Sequence, residues 1–167
     1  MNTHGENQDW PRLGDAGSAA IYSKLPGAYR LRQVRMAGRR AGRQNSAMIY
    51  IVDDDEAVRM SLSLLLLSFG WRSRTFGSAD EVLEAFPQNV PKCLLLDLNM
   101  PGTNGVELQS ILAARHCSVP TVIITAEPNS PMASAALAAG AMTVLSKPFQ
   151  QDQLKLAIDD ALAITRH

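Results

Sequence analysis

Cys93-Leu94-Leu95-Leu96-Asp97-Leu98-Asn99-Met100-Pro101-Gly102 decides the fold of this chain. Four apolar residues, Cys93 to Leu96, end in a single carboxylate, and Pro101, Gly102 and Gly105 then break regular structure. An apolar run of this length bounded by turn residues reads as a fully buried strand. In an open parallel sheet the carboxyl ends of such strands face the crevice where ligands bind. Asp97 would sit at that rim, as a metal ligand, a nucleophile or a helix cap.

The same punctuation recurs on both sides. Met48-Ile49-Tyr50-Ile51-Val52 is a buried strand ending in Asp53-Asp54-Asp55-Glu56. Val58, Leu62, Leu65, Leu66 and Phe69 follow at helical spacing, with Asp55 as N-cap and Gly70 as the stop. Trp71 to Phe76 reads as a polar edge strand, and Ser78 caps a helix with Val82, Leu83 and Phe86, closed by Pro87. Asn104 or Gly105 opens a helix whose apolar positions are Val106, Leu108, Ile111 and Leu112. Pro120 to Thr125 is a fourth strand, 131–140 an Ala-rich helix stopped by Gly140, and Ala141 to Leu145 a fifth strand leading into Lys147-Pro148-Phe149. A last helix runs from about Gln150 to Ile164, with Leu154, Ile158, Ala161 and Leu162 facing inward. Five strand–helix alternations predict an α/β domain: a doubly wound, five-stranded parallel sheet.

Composition agrees. The chain is 46% hydrophobic and 19% charged, and its 167 residues hold one domain plus a tail. Residues 1–46 carry eight Lys/Arg against three acids, many of them arginines after Arg30, and show little periodicity. They are expected to be a disordered basic N-terminal extension, with 47–167 the folded domain. A basic arm for nucleic acid or an acidic membrane, a start at Met36 or Met48, and a transit peptide are the competing readings. Cys93 and Cys117 form no zinc pattern and suit packed thiols in a reducing cytosol. No stretch of about 18 apolar residues predicts a membrane span, and no apolar segment predicts a secretory signal.

Four strand ends carry polar groups: Asp53 and Asp54, Asp97, Thr125 and Lys147. Converging carboxylates repel unless a positive charge lies between them. A hard divalent cation with oxygen ligands suits such a cluster, Mg²⁺ above all. Lysine and a threonine hydroxyl add what the equatorial oxygens of a phosphoryl group need. Asp97, alone on the central run, is the expected nucleophile, giving an aspartyl-phosphate. Asp53 and Asp54 would hold the metal. The acid run could instead cap a helix, and Lys147 could be an ordinary strand-end lysine. Convergence of these features at successive strand ends favours chemistry.

Ile51-Val52-Asp53-Asp54-Asp55, Asp97 to Gly102 with Gly105, Thr125-Ala126, Gly140-Ala141 and Lys147-Pro148-Phe149 together resemble the response-regulator receiver domain of two-component signalling. The resemblance covers about 48–165 and is nearest to receivers that precede helix-turn-helix output domains. It implies the CheY-type strand order 2-1-3-4-5 and Mg²⁺-dependent transfer of phosphate from a phosphohistidine to Asp97. The donor would be a sensor histidine kinase or a histidine phosphotransfer protein, and a downstream protein target would read the result. By position, Asp53, Asp54, Asp97 and the Asn99 carbonyl would serve the metal, and Thr125 and Lys147 the phosphoryl oxygens. The Lys147–Pro148 peptide would be cis. Thr125 would switch together with the strand-five position, usually aromatic and here Val144, which cannot make the aromatic swing. Glu127 and Asn99 occupy positions that tune phosphate lifetime in relatives.

Three residues follow Ile164, so a stand-alone cytoplasmic receiver is expected: a phosphate acceptor, not a dedicated enzyme, with nucleic-acid binding unexpected without an output domain. The alternatives are a receiver-fold binding module that no longer switches and a phosphate sink. An aspartyl-phosphate phosphatase of another α/β family would need an acid at position 99, where Asn99 stands.

Overall fold

A computed structural model describes residues 47–86 and 90–165. The expectations for residues 1–46 and for Pro87 lie outside these residues. Five strands and five helices alternate: β1 Met48–Val52, α1 Glu56–Ser68, β2 Arg72–Phe76, α2 Ala79–Ala85, β3 Cys93–Asp97, α3 Gly105–Ala114, β4 Thr121–Thr125, α4 Pro131–Ala138, β5 Thr143–Ser146 and α5 Gln151–Ile164. All pairings are parallel, in the order β2-β1-β3-β4-β5.

Strand alternation divides the core between two faces. Tyr50, Val52, Leu94, Leu96 and Ile123 pack with Val82, Leu108, Ala133 and Ala136 from α2, α3 and α4. Ile49, Ile51, Leu95, Val122 and Ile124 pack with Leu62, Leu66, Leu154 and Ile158 from α1 and α5. Because both faces are covered, β3 and β4 are buried at every position. β2 lies at an edge, and its exposed Arg72, Arg74 and Thr75 discourage pairing with another strand.

The helix ends follow the local sequence. Asp55, Ser78, Asn104 and Ser130 accept backbone N–H groups as N-caps, and Glu107 completes a capping box with Asn104. Gly70 and Gly140 take φ of 85° and 101° after α1 and α4. The next N–H in each case, Trp71 or Ala141, returns to Leu66 or Ala136. This closure moves the fifth strand. β5 begins at Thr143 rather than Ala141, because the Ala141 N–H closes α4, and it runs to Ser146 rather than Leu145. It shifts the start of β2 from Trp71 to Arg72 in the same way.

Candidate functional site

Parallel register brings the carboxyl ends together. Val52 pairs with Leu96, and Asp97 with Ile124, so Asp53 and Asp97 emerge side by side at the sheet rim. Thr125 and Ser146 pair across β4 and β5, and the Lys147 N–H donates to the Thr125 carbonyl at 2.8 Å. Lys147 therefore leaves β5 aimed across the rim. The Lys147–Pro148 peptide is cis, as expected.

Asp53, Asp54 and Asp97 form a ligand cluster whose carboxylate oxygens lie within 4.8 Å of one another, and no other such cluster of acids, histidines and cysteines occurs among the described residues. Asp53 and Asp97 are buried and Asp54 is exposed. Lys147 Nζ lies 2.8 Å from Asp53 Oδ2 and 3.2 Å from Asp97 Oδ1. The second oxygen of each buried acid is also held. The Asp55 N–H donates to Asp53 Oδ1 at 2.9 Å, and the Asn99 N–H to Asp97 Oδ2 at 3.2 Å.

The electrostatics follow from this packing. Burial pushes the Asp97 carboxyl above its ordinary value; Lys147 and the Asn99 N–H pull it down, and Asp53 pushes it further up. Burial works against the Lys147 ammonium, but its bonds and ion pairs to Asp53 and Asp97 outweigh that, and its pKa rises. Three clustered acids, two of them paired with one lysine, leave excess negative charge at the rim. An all-oxygen donor set of this kind fits Mg²⁺.

Each predicted site residue has a definite place. Asn99, expected to offer its carbonyl, meets Asp97 through its backbone N–H. Thr125 is fully buried, and its hydroxyl accepts the Glu127 N–H at 3.1 Å, which ties the β4–α4 loop to the strand end. Val144 is half-buried and packs against the core face that carries Leu96 and Ile123. Cys93 is buried, and burial pushes its thiol up to about 12, so it carries no chemistry here.

Two polar residues, one of them against the acid cluster, have no signature in the motifs. Arg59 Nη1 donates to the carbonyls of Asp53 and Asp54, at 2.6 and 3.0 Å. Gln109 is buried on the inner face of α3, and its Oε1 meets no hydrogen-bond donor among the described residues. Its place beside Leu108 and three residues before Leu112 is the signal that could have marked it as inward-facing.

A model of the response regulator receiver domain family matches residues 49–159. The chain is 39% identical over 127 residues to the response regulator protein TmoT of Ectopseudomonas mendocina, covering 76% of this chain and 58% of that one. It is 38% identical over 112 residues to nodulation protein W of Bradyrhizobium diazoefficiens, covering 67% and 49%. The crystal structure of FixJ-N superposes with a TM-score of 0.67 at 35% identity, over 71% of this chain and 94% of that one. The chain thus spans about half the length of the curated relatives it matches. No helix among the described residues is long and apolar enough to cross a membrane. With motifs, sheet order and relatives in agreement, this chain belongs to the response regulator receiver domain family.

Proposed function

We propose that this chain accepts a phosphoryl group on Asp97 from a phosphohistidine donor, in a Mg²⁺-dependent reaction, and that the phosphorylated form is read by a partner protein. The observation that carries the reading is Lys147 spanning Asp53 and Asp97 beside the exposed Asp54. A buried carboxylate at the end of β3 is held at both oxygens, next to two further acids that only a cation can reconcile.

Asp53, Asp54 and Asp97 would hold Mg²⁺, with the Asn99 carbonyl as a further ligand. When bound, the ion neutralises acid charge and charge on the transferring group. Asp97 oxygen attacks the phosphorus, the bond from phosphorus to the donor's imidazole nitrogen breaks, and the imidazole departs with its electron pair. Lys147, already oriented, can turn from Asp53 toward the new phosphoryl oxygens. The Thr125 hydroxyl would exchange its bond from Glu127 for one to phosphate, and the released β4–α4 loop would carry the change outward. The donor is a sensor histidine kinase or a histidine phosphotransfer protein, and the compartment that supplies it is the cytoplasm. On this reading the chain is a phosphate acceptor and not a dedicated enzyme.

Val144 favours a second reading, in which the site takes up phosphate but the surface over β5 changes little. Its half-buried side chain has no ring to swing inward. The chain would then act as a phosphate sink or as a binding module that does not switch.

Intact-protein mass after incubation with Mg²⁺ and acetyl phosphate tests the proposal. A phosphate-sized gain in the wild type and none in Asp97→Asn is expected. Equal gains in both would move the acceptor elsewhere, and no gain in folded wild type would leave the binding module.

A further inference from the structure

Asp53 and Asp54 are neighbours, yet they are held differently. Both oxygens of Asp53 have partners, the Asp55 N–H and Lys147 Nζ. The exposed Asp54 carboxylate has none among the described residues. Its position within the acid cluster therefore rests on its backbone. β1 ends at Val52, so the Asp53 and Asp54 carbonyls lie beyond the ladder and need other donors.

Arg59 supplies them. It stands in the first turn and a half of α1, where side chains slant back toward the helix N-terminus. Its Nη1 reaches both carbonyls, at 2.6 Å and 3.0 Å. The β2–α2 turn leaves room for it: a Cβ on Gly77 would come no closer than 3.5 Å to Nη1. A cation this near a helix N-terminus is unfavourably placed with respect to the helix dipole. Two charge-assisted bonds to carbonyls offset that.

We infer that Arg59 is a positioning residue for the metal-binding acids, clamping the backbone of Asp53 and Asp54 so that the otherwise unheld Asp54 carboxylate faces Asp97. This rests on the proposal that the acids bind Mg²⁺. Arg59 acts in two opposed ways on such a site. Its bonds favour the ligand geometry, and its charge repels a cation. Substitution decides which prevails. Arg59→Met keeps the aliphatic stem and loses both bonds and charge. Arg59→Lys keeps the charge on a shorter side chain.

Mg²⁺ affinity by titration calorimetry, together with amide hydrogen exchange over residues 53–55 in metal-free protein, tests the inference. Removing a group that holds a metal ligand typically weakens affinity by about 10- to 100-fold. Arg59→Met is expected near the lower bound, about tenfold weaker, with Arg59→Lys between it and the wild type. The Asp55 N–H, bonded to Asp53 Oδ1, is expected to exchange faster in Arg59→Met without any metal. Unchanged or tighter Mg²⁺ binding in Arg59→Met would overturn the positioning role. If the wild type itself binds no Mg²⁺, the cation proposal fails, and the exchange rates alone decide whether Arg59 clamps the loop. Unchanged exchange would then overturn it.

Discussion

Lys147 Nζ stands 3.2 Å from Asp97 Oδ1, and this one contact joins the last strand of the sheet to the central one. The same ammonium reaches Asp53 Oδ2 at 2.8 Å, so a single cation separates two buried acids. Lys147→Met leaves those acids facing each other without it. Phosphate uptake from acetyl phosphate should slow by about a hundredfold, as expected for removing one preorganised donor from developing charge. Stability at neutral pH without Mg²⁺ should also fall. A rate near that of the wild type, followed by intact mass over time, would remove Lys147 from the chemistry.

The pH dependence of stability has a definite sign. The folded pKa of Asp97 lies above its ordinary value of 3.8, chiefly because of burial. The folded chain therefore keeps the Asp97 proton longer than the unfolded chain does, and stability falls as pH rises through that interval. Above it, at neutral pH, the full cost of the ionised buried acid is present. Lys147 contributes the opposite way. Its pKa is raised above 10.5, so its stabilisation is complete below that value and is lost as pH climbs through the folded pKa. Asp97→Asn should therefore melt higher than the wild type at neutral pH without Mg²⁺, and the gap should close in acid. Melting curves across pH check this, and a gap that widened on acidification would contradict it.

Mg²⁺ should stabilise the wild type by mass action. At a hundredfold excess over Kd, binding to the folded chain alone adds about 2.7 kcal/mol. Differential scanning fluorimetry should show the midpoint rising with Mg²⁺ and returning with EDTA. Asp54→Asn removes one of the three clustered acids and should lose most of the rise.

The acids, Thr125 and Lys147 were legible in the sequence because of sheet geometry. Buried parallel strands put their carboxyl ends on one edge, so five polar residues at four strand ends come to lie along one rim. The strand order itself came from the family resemblance, since alternation alone does not order strands. Arg59 was not legible. An arginine in a helix reads as solvated, and backbone carbonyls, its partners here, leave no mark in a sequence. The start of β5 is not legible because Ala141 continues an apolar run, while its N–H is already committed to Ala136. Gln109 is hidden in the sequence because a polar side chain signals an outward face, yet its neighbours Leu108 and Leu112 turn that face inward.

Helix ends give a prediction for stability alone. Gly70 and Gly140 close α1 and α4 with positive φ. His116 does the same after α3, at φ 57°, and the following Cys117 N–H returns to Leu112. A residue with a Cβ is strained in this left-handed region by about 1 kcal/mol or more. The exposed His116 can be replaced without disturbing the core. His116→Gly should raise stability by about 0.5–1 kcal/mol, the gain being reduced by the greater freedom of glycine in the unfolded chain. Urea midpoints at unchanged slope would show it.

Gly105 is required for a different reason, close approach. It opens α3, and a Cβ there would meet the Asp97 carbonyl oxygen at 2.8 Å and Leu98 Cδ2 at 3.0 Å. The first of these is backbone, directly behind the proposed acceptor, and cannot rotate away. Gly105→Ala must push the start of α3 off the end of β3 or shift Asp97 itself. Overpacking of this kind costs about 1–3 kcal/mol, which denaturant unfolding would measure. Because Asp97 is held through Lys147 and the Asn99 N–H, a shift at its carbonyl should also slow phosphate uptake. The two effects need not scale together. A variant that loses stability but keeps the wild-type uptake rate would show that the strain is absorbed by α3 and never reaches the carboxylate.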